Sequence, residues 1–283
     1  MGSTGPQKLV TVVWSGLAAE VRHIRDNCGL SLEAVCDQLG WQQSKLSRME
    51  RGQQCISAAD LASLLVIYKV TGQERAQLLH LVERQDEPGR WILDSPTRRT
   101  PLARLEAEAT SLVSAHPLLV PGLAQTTDYA YGVMKSEDVP AEHVESRVER
   151  RLERQAIVAK DRLPKFDMIV DEIALRRVIG SHKVMARQLR ALLDFADRPN
   201  VRLWIVPFER SADAGFHSPF YTIGFPRGES VVQLESKESS VYIEDKTKIE
   251  IFHRHAAKLG KAALDLARSA DLVATIAKQH ERE

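Results

Sequence analysis

Ten consecutive residues, Gln42 to Arg51 (QQSKLSRMER), gather most of the side chains in this sequence that suit the reading of a nucleic acid. Leu46 and Met49 fall three apart and mark the inner side of a short helix. Gln43, Ser44, Lys45, Ser47 and Arg48 then occupy its outer side. Glutamine pairs bidentately with adenine, arginine with guanine, and serine or lysine reaches base or phosphate. The spacing therefore predicts a base-reading set of Gln43, Ser44, Lys45 and Arg48, with Gln42 and Arg51 on phosphates. A second set lies further on. Arg147, Arg151 and Arg154 stand at i, i+4 and i+7 and share one helix face. Two readings of that face stand side by side: a solvated surface balanced by Glu149 and Glu153, or a surface that holds an anion or a partner. Arg151, Arg154 and Gln155, with Gln125, Tyr129 and His217, form the candidate ligand- or partner-binding set.

Patterns for catalysis are missing. The sequence has no G-x-S-x-G, G-x-x-x-x-G-K-[ST], H-E-x-x-H or G-x-G-x-x-G. His253 and His255 are two apart on an expected helix, so they point to different faces. Asp171 and Glu172 have no identifiable carboxylate opposite them. Cys28, Cys36 and Cys55 form no C-x-x-C pair and read as reduced thiols rather than a metal or redox site. The expectation is a protein that is not an enzyme, with no cofactor and no metal.

Local signals must position the base-reading helix. Ser31 is an N-cap, and Val35 and Leu39 make an apolar stripe. Cys36 gives the small side chain that a close facing helix needs. Gly40 ends the first helix because glycine takes positive φ cheaply. The second helix starts near Gln42 and stops at Gly52. This stretch, SLEAVCDQLGWQQSKLSRMERG (31–52), resembles the helix-turn-helix of Cro/C1-type (XRE) regulators. Ser31, Val35, Cys36, Leu39, Gly40, Trp41, Leu46, Ser47, Met49, Glu50 and Gly52 stand in register with that signature. Cys36 replaces its usual Ala, and Trp41 exceeds its usual Val.

Around the turn, helices are expected at Trp14–Asn27 (Leu17, Val21 and Ile24 inward, Arg22 and Arg25 on another face), from Ser57 to a stop at Gly72, and at 73–84. Residues 1–13 read as a disordered N-terminus, 14–86 as the helix-turn-helix domain, 87–100 as a Pro/Gly-rich linker that docks through Trp91 and Ile92, and 101–283 as an α+β domain. In that last part helices are expected at 102–112 (capped by Thr100), from Thr127 or Asp128, at 141–160, 173–178 and 184–195, with one long closing helix from Lys246 to Arg268 that Asp271–Lys278 extends. Strands are expected at 166–170, 201–208, 220–225, 230–234 and 240–243. The fold class expected is a mainly α N-terminal helix-turn-helix domain plus an α+β C-terminal domain with a small, mostly antiparallel sheet.

Composition sets the remaining bounds. Apolar residues are 43% and aromatic ones 6%, as in a globular protein, and no run approaches the ~18 apolar residues of a membrane span. The start lacks a signal-peptide core, so a cytoplasmic location is expected, nucleoid-associated when bound to DNA. Net charge is +1, so DNA affinity must come from local placement of Lys45, Arg48 and Arg51 and from dimerisation.

Residues 100–280 are similar to the companion domain found in WhiJ-like, antitoxin-like regulators of actinobacteria. The carrying segments are VPGLAQTTDYA (120–130), RLERQ (151–155), DEIALRRVIG (171–180), MARQLRALL (185–193), NVRLWIVPF (200–208) and VYIED (241–245). Ala124 departs from that pattern, as does the stretch 233–235. The resemblance implies a transcription regulator encoded near a small partner protein. The expected partners are double-stranded DNA carrying a palindromic operator, a second copy of the chain, and such a small protein. Two further readings stay open: a partner-binding module with DNA binding secondary, and a small-molecule sensor with its pocket between the PGLAQT turn, the Arg151–Gln155 face and the sheet.

Overall fold

Leu17, Val21 and Ile24 do recur at helical spacing, and they form the buried side of α1 (Val12–Asn27). The computed structural model describes residues 12–83, 90–94, 102–158, 164–236 and 239–283. The expectations for residues 1–11, for most of the linker and for the Thr100 cap lie outside them, as do the side chains of Trp91 and Ile92. Two compact units divide the chain, Met1–Leu105 and Glu106–Glu283.

In the first unit, Ser31 opens α2 (Leu32–Leu39) by accepting the Ala34 amide, and Gly40 closes it at φ +64°. Helix α3 (Gln43–Glu50) follows after two residues. Ser57 caps α4 (Ala58–Ile67) by accepting the Asp60 amide. Gly72 does not stop this helix: α4 ends at Ile67, and Gly72, at φ +63°, opens α5 (Gly72–Glu83). Val35, Cys36, Leu46, Met49, Leu61 and Leu65 make one core with α1 and α5. A short strand, β1 (Arg90–Asp94), comes next, and the division between the units falls inside α6 (Leu102–Glu108).

The second unit is α+β. Its six strands are β2 (Ser111–His116), β3 (Lys165–Asp171), β4 (Val201–Val206), β5 (Phe220–Gly224), β6 (Ser230–Glu235) and β7 (Ser239–Ile243). They lie in the order β7-β6-β5-β2-β3-β4. The β2–β3 and β3–β4 pairs are parallel and the other three antiparallel. The strand β2 corrects the expected helix 102–112: the helix stops at Glu108, and Ser111–His116 pairs with strands on both sides. The helices are α7 (Thr127–Ser136), α8 (Ala141–Val158), α9 (Glu172–Arg176), α10 (His182–Ala196), α11 (Phe208–Ala214), α12 (Lys246–Ala262) and α13 (Leu266–Arg282). Thr126, not Thr127 or Asp128, caps α7. The closing helix is two helices, because Asp265 caps the Arg268 amide and starts α13 afresh. No helix among the described residues is long and apolar enough to cross a membrane.

The two faces of this sheet differ. On one, Ala115, Ile169, Phe220, Val232 and Ile243 pack with Ile249 and Leu259 of α12. On the other, strand alternation aligns Ser114, Tyr221, Gln233 and Tyr242 in one row across β2, β5, β6 and β7. All four are buried, yet each ends in a polar group.

Candidate functional site

Helix α3 presents two opposite sides. Leu46, Met49 and Glu50 are buried, whereas Gln42, Gln43, Ser44, Arg48 and Arg51 are exposed. Arg48 Nε donates to Gln54 Oε1 at 3.1 Å, and Arg51 Nε to the Ser47 carbonyl at 3.1 Å, both on the surface. Lys45 is placed differently from its neighbours. Its Nζ lies 2.7 Å from Asp60 Oδ1 and 3.8 Å from the centre of the Trp41 ring. That ammonium is already engaged within the unit, so of the expected readers Gln43, Ser44 and Arg48 are the freer three. The large Trp41 is thereby explained: half-buried, it packs on the core and carries the Lys45 charge over its ring.

An ion pair fixes the inner side of α3. Arg25 Nε and Nη2 donate to Glu50 Oε1 and Oε2 at 2.7 and 2.9 Å, and Arg25 Nη1 donates to the Leu30 carbonyl at 2.8 Å. The hydrogen bond with Glu50 raises the Arg25 pKa above its ordinary value, against the effect of burial. Sequence reasoning set Arg25 on an outer face. Its signal was there: Arg25 stands four residues after Val21, and Glu50 four after Leu46, so both occupy core spacing.

The second candidate set is brought together, apart from one member. The loop Val120–Thr126 is pinned from three sides. Gln125 Nε2 donates to the Val120 carbonyl at 2.7 Å, and the buried Tyr129 hydroxyl accepts the Val120 amide at 3.2 Å. Gln155 Nε2 donates to the carbonyls of Gln125 and Gly122 at 2.6 and 3.2 Å. Gln188 of α10, which the sequence did not flag, donates to the Ala124 carbonyl and accepts the Thr126 amide, both at 2.7 Å. Arg151 Nη1 donates to Gln125 Oε1 at 2.6 Å. Arg154 grips Glu106 with both forks, at 2.9 and 2.7 Å, and the Tyr221 hydroxyl donates to the same carboxylate at 3.1 Å. Neither arginine lies on a solvated face balanced by Glu149 and Glu153. His217 is not part of this cluster. It is exposed, and its neighbour Phe216 packs on the opposite side of the sheet.

Electrostatics separate the two arginines. Burial works against the Arg154 charge, but Glu106 outweighs it and holds that guanidinium above its ordinary value. Burial pulls the Arg151 pKa down, with the Glu235 charge opposing and the Arg154 charge adding to the depression. His116, at the end of β2, is pushed down to about 4 by burial, against the pull of Glu235. Burial and Glu106 raise the Tyr221 hydroxyl well above its ordinary value. His255 stacks on Phe220 and His253 faces Glu250, so the two histidines do go separate ways. No group of three or more His, Cys, Asp or Glu among the described residues could hold a metal ion.

Known proteins compare as follows. A family model described as a domain of unknown function (DUF5753) matches residues 99–275, and one described as a helix-turn-helix domain matches residues 17–78. No curated protein matches the chain. A solved structure of TrmBL2, an archaeal chromatin protein described as showing a novel mode of DNA binding, aligns over 72% of this chain and 70% of that one. Its identity is 15% and its TM-score 0.31, a similarity too low to bear on fold or function.

Proposed function

The chain belongs to the DUF5753 family, here with a helix-turn-helix domain ahead of the family's domain, and on that premise we propose a sequence-specific DNA-binding transcription regulator of the Cro/C1 type. One observation carries the reading: α3 is anchored by Leu46, Met49 and the Arg25–Glu50 pair while its polar side stands open to solvent. In this reading α3 lies in the major groove. Gln43, Ser44 and Arg48 reach base edges, with Gln42 and Arg51 on phosphates. Lys45 joins the readers only by leaving Asp60. The family domain dimerises the chain in the cytoplasm and sets two copies of α3 about 34–36 Å apart, one DNA turn.

Selection of bound DNA from a random pool tests this. A two-fold symmetric site with half-sites one turn apart is the expected result. A pool that enriches no motif overturns the proposal. A second reading, a small-molecule sensor in the family domain, is favoured by the buried polar cluster around Gln125 and Arg151.

A further inference from the structure

Arg151 and Arg154 stand three residues apart on α8, and their surroundings treat them unequally. Arg154 has a carboxylate on its fork, that of Glu106. Arg151 donates a single hydrogen bond and has no carboxylate within 4.0 Å among the described residues. A guanidinium carries five N–H donors in a rigid fork, and most of those on Arg151 meet no acceptor among the described residues. Among the described residues its neighbours give it no further hydrogen bond. Gln125 and Gln155 have their amides on backbone carbonyls, and His116 makes no hydrogen bond among the described residues. Glu235 faces solvent and acts on Arg151 only through space. The polar row through Ser114 and Gln233 continues this setting along the sheet.

Arg151 is half-buried, and drawing a guanidinium part-way out of water for one hydrogen bond in return is costly. The pair next to it shows what would relieve that cost, since two parallel N–H bonds to one carboxylate satisfy Arg154. We propose that Arg151 is the anchor of a ligand site for a small organic anion, a carboxylate or a phosphate monoester, which takes at Arg151 the place that Glu106 takes at Arg154. Gln125 aims the guanidinium, and neutral His116 adds a donor or acceptor at the sheet side. This deepens the sensor reading and rests on it.

The test is a titration of the full chain at constant ionic strength, followed by thermal unfolding and by amide shifts in NMR. The probes are sodium acetate, inorganic phosphate and glycerol phosphate, with neutral glycerol as the comparison. At least one anion should bind saturably, and the three anion arms distinguish a carboxylate ligand from a phosphate one. Arg151→Met should abolish the effect, and Arg151→Lys, which keeps the charge without the fork, should weaken it about tenfold. Arg176→Met, at an exposed arginine of α9 paired with Glu172, should change nothing. Should Arg151→Met not fold, the Arg151→Lys and His116→Gln variants carry the comparison. Equal responses to glycerol and to the anions, or an undiminished response in the Arg151 variants, overturn the proposal. DNA binding to the selected site is measured on the same samples, so anion binding that fails beside intact DNA binding overturns this site alone.

Discussion

Helices α3 and α8 are both rich in arginine and glutamine, and they use them in opposite directions. On α3 the polar side chains face outward, and the inner side is apolar except for Glu50. On α8 the inner side is apolar only in part: Val148 packs on Ala130 and Met134, while Arg151, Arg154 and Gln155 turn inward, toward Glu106 and the Val120–Thr126 loop. The difference follows from what each helix packs against. The first unit offers α3 a core of Leu, Val and Met, with one arginine to meet its one buried carboxylate. The second unit pairs α8 with Glu106, whose carboxylate also takes the hydroxyl of Tyr221 from the sheet's polar row. Polar outward and apolar inward suits a surface that recognises something large. Polar inward suits a pocket that holds something small.

The two buried ion pairs test this symmetry most severely. Glu50→Gln leaves the Arg25 charge in the first unit's core, and Glu106→Gln does the same to Arg154 in the second. Each should cost its own unit ~3–5 kcal/mol, because removing one partner leaves a buried charge uncompensated. Hydrogen exchange resolved by unit would show it. A loss under ~1 kcal/mol for Glu106→Gln would mean that water reaches Arg154 freely, and the inward-polar description of α8 would be wrong. Arg48→Ala is the outward counterpart. It should weaken DNA binding by ~1–3 kcal/mol at one base position while leaving unfolding within ~0.5 kcal/mol. Uniform weakening across all sequences would make Arg48 a phosphate contact instead.

The same contrast explains what could be read from the residues alone. The caps Ser31 and Ser57, the turn at Gly40 and the sides of α3 follow from local rules, and the first unit obeys them. The strand β2 escaped because its alternation sets Leu112, Ser114 and His116 against Val113 and Ala115, and both sides are covered, with polar residues on one of them. A search for alternating apolar residues passes over such a strand. Glu106 and Tyr221 escaped with it, because Glu106 meets Arg154 across 48 residues of chain and Tyr221 meets Glu106 across 115. The loop and helix halves of the cluster, Gln125, Tyr129, Arg151 and Gln155, were legible because each is close in sequence to a turn or to a helix face.

His116 sharpens the picture of the second unit through pH. Its folded-state pKa of about 4 lies below the ordinary histidine value, so between those two values the unfolded chain binds a proton that the folded chain refuses. Stability from this group is therefore complete above the unfolded pKa and is lost as pH falls toward 4. The loss should reach about 3 kcal/mol. Denaturant titrations at pH 7 and pH 4.5 should show a smaller decline for His116→Gln than for the parent chain. Equal declines would mean that the ring is solvated, and the sheet side of the anion site would lose its neutral donor.

The smallest effect concerns the turn that aims α3. Gly40 sits at φ +64°, and a Cβ built there would meet no atom within 4 Å. Gly40→Ala thus adds backbone strain and nothing else, at a cost of ~1 kcal/mol. That loss should appear in the first unit's unfolding. DNA affinity at the selected site should fall by less than the Arg48→Ala change, because the strain lies at the end of α2 while the proposed readers on α3 keep their anchors at Leu46, Met49 and Glu50. A drop in affinity larger than that of Arg48→Ala would show that α3 owes its orientation to the turn rather than to the Arg25–Glu50 pair.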